Sequence, residues 1–138
     1  MKKFIRLNVV SILYAFFIFI PLELMINVYR INRLTGWDIN TVNKISLATA
    51  VIEMCLGTLI LYFLTKKWLG RGGANYFTVI LWIPYLMLLV YTFSSLFPIT
   101  ERGDNPNPAS GLIAIGALFL YPIYILIINF ISFLTDYE

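Results

Sequence analysis

Four apolar runs, at 7–29, 45–65, 76–98 and 111–134, occupy most of this chain of 138 residues. Each is long enough, as a helix, to cross a hydrocarbon core of about 30 Å, which takes about 20 residues. Inside lipid the backbone must satisfy its own hydrogen bonds, so each run is expected to be helical. The composition agrees: 60% hydrophobic and 12% charged residues, with a mean hydropathy of +0.84, exceed what a water-soluble domain of this length can bury. The sequence therefore predicts an all-α integral membrane protein, a single domain over residues 1–138 folded as an antiparallel bundle of four transmembrane helices.

The connections carry helix punctuation. Asn40 or Thr41 is expected to cap the second span, Asn75 after the breaker GRGG to cap the third, and Asn107 before Pro108 to cap the fourth. The opening MKKFIR imitates a secretory leader, but no small-residue cleavage site follows, so the first run reads as an uncleaved span. Every connection is short, leaving no room between the spans for a soluble catalytic or receptor domain.

Lysine and arginine in the short loops set orientation. Lys2, Lys3, Arg6, Lys66, Lys67 and Arg71 lie on one side, and Arg30, Arg33, Lys44 and Arg102 on the other. The first group is larger, which puts both termini in the cytoplasm. Because the basic residues sit at span ends, the net charge of +3 reflects topology and not a nucleic-acid partner. Abundant isoleucine, asparagine, phenylalanine and lysine with short loops resembles small membrane proteins of AT-rich bacteria, which implies a bacterial cytoplasmic membrane.

Two acids interrupt the apolar runs, Glu23 in the first and Glu53 in the second. An acid within a membrane span is costly, about 2.5–3.5 kcal/mol on insertion scales for comparable charges, and marks a functional site by default. Counted from Arg30 and from Lys44 at 1.5 Å per residue, both lie on the order of 10–14 Å from the same membrane face. Antiparallel neighbours joined by a short hairpin could bring them together as a coupled carboxyl pair sharing a proton. Ser46, Thr49, Ala50 and Gly57 share the Glu53 stripe, and small and polar residues on one stripe indicate a helix contact. Glu23 shares its face with Asn27 and Arg30, a polar strip leading out to the interface. Thr78, Tyr85 and Thr92 on the third span, and Tyr121, Tyr124 and Asn129 on the fourth, are candidate hydrogen-bond partners. The candidate ligand- or proton-binding residues are thus Glu53, Glu23, Asn27, Arg30, Tyr85 and Tyr121.

The residues that are missing narrow the function. There is no histidine and one cysteine, Cys55, which is expected to be a small packing residue. Metal ligation by histidine, a histidine-based nucleophile and dithiol exchange therefore lack their parts, and no metal, cofactor or enzymatic activity is expected. GRGG lacks the lysine and strand context of a phosphate loop and reads as a tight turn. Two classes remain. The first expectation is a non-enzymatic binding, accessory or protective protein, immunity-like, that meets a membrane-protein partner or a second copy within the bilayer. The alternative is a small oligomeric proton-coupled transporter or channel using Glu53 with Glu23.

Overall fold

The computed structural model describes residues 1–136 and is 88% helical, without strands among the described residues. The helices are α1 (Lys2–Ile26), α2 (Val28–Thr35), α3 (Ile39–Leu64), α4 (Thr78–Leu96) and α5 (Pro108–Thr135). A π-turn, Thr65–Leu69, extends α3, and short 3-10 turns, Gly73–Phe77 and Arg102–Asp104, precede α4 and α5. Four helical stretches are long and apolar enough to cross a membrane: Lys2–Ile26, Ile39–Leu69, Gly73–Leu96 and Pro108–Thr135.

The spans match the apolar runs in number and order, but two boundaries move for identifiable reasons. The first span stops at Ile26, because Asn27 (φ −97°, ψ 18°) leaves helical geometry. The polar sequence after it then forms α2, which the apolar runs did not reveal, and Gly36 ends α2 in the left-handed conformation at φ +71°. The second helix begins earlier, at Ile39, with Asp38 rather than Asn40 or Thr41 at its N-terminal boundary and no side-chain cap. Asn75 does not cap the third span either. Its amide donates backward to the Gly70 carbonyl, while its own carbonyl accepts from the Thr78 hydroxyl at 2.7 Å. Asn107 caps α5 as expected, accepting from the Ser110 N–H at 2.8 Å with Pro108 in the first turn.

The core is built around α1. Leu7, Val10, Tyr14 and Ile18 recur at three- and four-residue spacing, and with Ala15 they form its buried stripe. They pack on Leu61 and Leu69, on Trp82 and Leu86 of α4, and on Ile125 and Ile128 of α5. The contacts Asn8 with Tyr85 and Phe19 with Phe93 tie α1 to α4 along its length. α3 has a thin inner stripe, Val42, Gly57 and Leu61, and most of its other large side chains, including Leu47, Val51, Ile52 and Leu56, point outward. An exterior this apolar suits lipid contact and would be an aggregation hazard in water. Cys55 lies on that outer surface, so it does not pack within the bundle.

The two ends differ in chemistry. At one end the N-terminus of α1, the π-turn and the end of α5 come together: Arg6 donates to the Trp68 carbonyl at 3.2 Å and Lys66 to the Thr135 carbonyl at 3.0 Å. At the other end α2 meets the turn before α5, where Arg33 clasps Asp104.

Candidate functional site

Glu53 projects from the inner stripe of α3, one turn from Ala50 and from Gly57. Gly57 is where α3 comes close to α1, since a Cβ at this position would lie 3.2 Å from the ring of Phe17 and the ring would have to give by a few tenths of an ångström. The close approach of α1 and α3 at Gly57 opens outward into a cavity of about 290 Å³ between α1, α3 and α5. Phe17, Ile18 and Pro21 form its α1 wall, Ala50, Glu53, Met54 and Gly57 its α3 wall, and Ala117, Leu120, Tyr121 and Tyr124 its α5 wall. Pro21 has no N–H, so the Phe17 carbonyl lacks its usual helical donor on this wall.

A lone acid in such a setting should have a donor nearby. The cavity contains two hydroxyls, and both protons are committed elsewhere. Tyr121 donates its hydroxyl to the backbone carbonyl of Tyr14. Thr58 donates its own proton to the Met54 carbonyl, so the 2.6 Å contact between Thr58 and Tyr124 is a bond donated by Tyr124. The remaining cavity-lining side chains are apolar or absent. Glu53 Oε2 is accordingly buried without a hydrogen bond. This is an acceptor in a largely apolar cavity lined by aromatic side chains from two helices, Phe17 on α1 and Tyr121 and Tyr124 on α5.

Glu23 is in a different position. The Asn27 amide donates to its Oε2 at 2.9 Å and to its backbone carbonyl at 2.8 Å, and Glu23 does not line the Glu53 cavity. Arg30, the third member of the expected strip, donates to the Phe97 carbonyl at 2.9 Å and lies 3.8 Å from Asp104, while its charge still acts on Glu23. Tyr85 donates to Asn8 rather than to either acid. Of the candidates read from the sequence, then, Glu53 and Tyr121 share a site, Glu23 and Asn27 bond to each other with the charge of Arg30 acting on Glu23, and Tyr85 belongs to another contact.

Asp104 is a residue that hydropathy gave no reason to single out. It sits in a connection, yet its side chain is only 3% exposed. Arg33 holds it through two parallel bonds, Nε to Oδ1 at 2.9 Å and the terminal nitrogen to Oδ2 at 2.7 Å, the bidentate geometry suited to arginine. The hydrogen bond from Arg33, together with the charges of Arg33 and Arg30, holds the Asp104 carboxyl below the usual aspartate range. The available signal was the three-residue spacing of Arg30 and Arg33, which places both on one face of a short helix. Among the described residues, no group of three acids, cysteines or histidines is assembled as metal ligands would be.

Compared with known proteins, the chain matches no family model, and neither a curated protein nor a solved structure is significantly similar to it.

Proposed function

We propose that the chain is a multi-pass protein of the bacterial cytoplasmic membrane, with four antiparallel spans and cytoplasmic termini, and that it acts by binding rather than catalysis. Its partner is another membrane protein that presents a cation or hydrogen-bond donor at bilayer depth to the Glu53 cavity, so the chain serves as an accessory or protective component. The observation that carries this reading is the unbonded Glu53 Oε2 in a cavity whose only hydroxyls have already given their protons elsewhere. A buried acceptor without a donor is costly, and a partner that brings the donor recovers that cost. Orientation rests on the six basic residues at the α1 and π-turn end against four at the other.

The carboxyl also favours a second reading, the oligomeric proton-coupled transporter or channel. Here Glu53 would bind the proton or cation alone, because Glu23 is already held by Asn27. One pair of measurements separates the two. For the accessory role, a membrane protein crosslinks to and co-purifies with the wild type from native membranes, less with Glu53→Gln, and not with Glu53→Leu. If the purified protein instead exchanges protons or cations across vesicles, that exchange is lost in Glu53→Gln, and no partner is retained, the accessory reading is wrong.

A further inference from the structure

The donors and acceptors of the Glu53 cavity narrow the chemistry of a ligand. Of the described residues with a buried side-chain polar atom left unbonded, Glu53 is the one that lines this cavity, and it is also the one acid or base on its walls. The two tyrosine hydroxyls of the α5 wall have committed their protons to the Tyr14 carbonyl and to Thr58. They bring lone pairs and π electrons to the cavity, and no proton. The α5 wall is also held in place. Tyr121 stacks on Tyr124 with ring centroids 5.4 Å apart and planes 20° apart, and it meets Trp82 edge-on at 5.0 Å and Tyr14 at 6.3 Å. A wall braced in this way leaves little ordering for a ligand to bring about.

These features select among cations. A metal ion gives up its water only to several oxygen ligands, about six to eight for calcium, and one carboxyl among apolar side chains does not supply them. A primary ammonium carries three N–H donors, and the cavity has one acid to receive them. A neutral alcohol would meet the carboxyl but leave its charge and the aromatic rings without a partner. A tertiary ammonium fits on each count. Its single N–H meets the carboxyl in a charge-assisted bond, its positive charge is attracted by the carboxylate and by aromatic rings, and its carbon substituents suit apolar walls. The volume of about 290 Å³, at the lower edge of the usual range for small-molecule sites, about 300–1,000 Å³, sets the size at one ring and a few carbons.

The geometry points to a small tertiary amine, bound in its protonated form, as a ligand of the Glu53 cavity, with its N–H on the Glu53 carboxyl and its apolar groups among Phe17, Tyr121 and Tyr124. The inference rests on the reading of Glu53 as a binding acid, and adds a free organic cation to the partner protein proposed above. Because the cavity opens outward between helices, the amine reaches it from the bilayer.

Radiolabelled N,N-dimethylbenzylamine, added at neutral pH to the purified full chain in nanodiscs of zwitterionic lipid, tests this once uptake by empty nanodiscs is subtracted. Binding is expected to saturate at a single amine per chain. Isobutylbenzene, the neutral isostere with carbon in place of nitrogen, should not displace the amine from the wild type, a comparison that needs no variant. Glu53→Gln keeps the size of the side chain but removes its charge, and should weaken binding about tenfold or more. Ala117→Phe fills the cavity from the α5 wall with Glu53 in place, and should abolish saturable binding. The inference is overturned by a wild type that shows no saturable binding, by displacement with equimolar isobutylbenzene, or by binding that either variant leaves unchanged. Co-purification of a membrane partner reads the other role separately. If it still depends on Glu53 while the amine does not bind, this inference fails alone; if neither is seen, the reading of Glu53 as a binding acid fails with it.

Discussion

Asp104 and Glu53 are both acids withdrawn from water, and the bundle treats them in opposite ways. Asp104 lies in a connection but is enclosed by α2, where Arg33 bonds both of its oxygens and Arg30 stands at 3.8 Å. Glu53 lies in a span and lines a cavity, where the nearby hydroxyls are turned to other acceptors. The first arrangement is what a structural carboxylate looks like: every acceptor has a donor, and the two elements it joins are locked. The second has left open what the first has closed. Burial alone does not tell the two acids apart, whereas the balance of donors does.

The comparison is broken most severely by removing the satisfied acid. Asp104→Ala leaves Arg33 and Arg30 facing each other without the carboxylate between them and releases α2 from the turn before α5. It is expected to give the largest fall in thermal midpoint of the single variants considered, measured in detergent or nanodiscs. The same pair predicts a pH dependence. The folded-state carboxyl is held below its ordinary value of 3.8, so its contribution is fully present above that value and is lost as pH falls through the lowered one. Stability should therefore drop on the acid side, and Asp104→Asn should flatten that limb of the profile. A wild-type profile that stays level through the acid range would mean that the clasp adds nothing.

Substituting the unsatisfied acid should have the opposite sign. Glu53→Leu removes a polar group that has no partner within the chain, and should raise stability or insertion efficiency by up to about 2.5–3.5 kcal/mol, the insertion cost of comparable charged residues at a helix centre. A loss of stability on the same scale would show that Glu53 is a structural acid like Asp104, and the distinction between the two would collapse. The smallest expected effect sharpens the picture of the closed end. Asn107 caps α5 and also donates to the Tyr29 hydroxyl at 3.1 Å, so Asn107→Ala should cost about 1 kcal/mol, the usual loss for an N-cap. Chemical denaturation in mixed micelles reads this directly, and a loss well beyond that range would mean that the bond to Tyr29 contributes as much as the cap.

Legibility followed the range of the forces involved. The number and order of the spans could be read because hydropathy is additive along the chain and lipid imposes a length. The Asn107–Pro108 cap could be read because its partner is three residues away. The stripe of Glu53 with Ala50 and Gly57 could be read because helical periodicity places those residues on one face, and the structure turns that face inward against Phe17. The caps expected at Asn40, Thr41 and Asn75 failed because α3 already starts at Ile39 and Asn75 lies inside the 3-10 turn before α4, where its amide donates to the Gly70 carbonyl and its side-chain oxygen meets no helix N–H.

Asp104 shows the limit from the other side. Its partner Arg33 is 71 residues away, and nothing local distinguishes it from Asp38 or Glu101, which stand in comparable loops. By itself the sequence determined four helices long and apolar enough to cross a membrane, the lack of histidine and the presence of two acids in apolar runs, because these follow from composition, side-chain transfer energies and helical periodicity. Only the tertiary structure decided that Glu23 is held by Asn27 while Glu53 faces a cavity without a donor, and that Tyr121 and Tyr124 spend their hydroxyls on Tyr14 and Thr58. Hydrogen bonds are short-ranged and directional, and which donor meets which acceptor is set when separate helices pack.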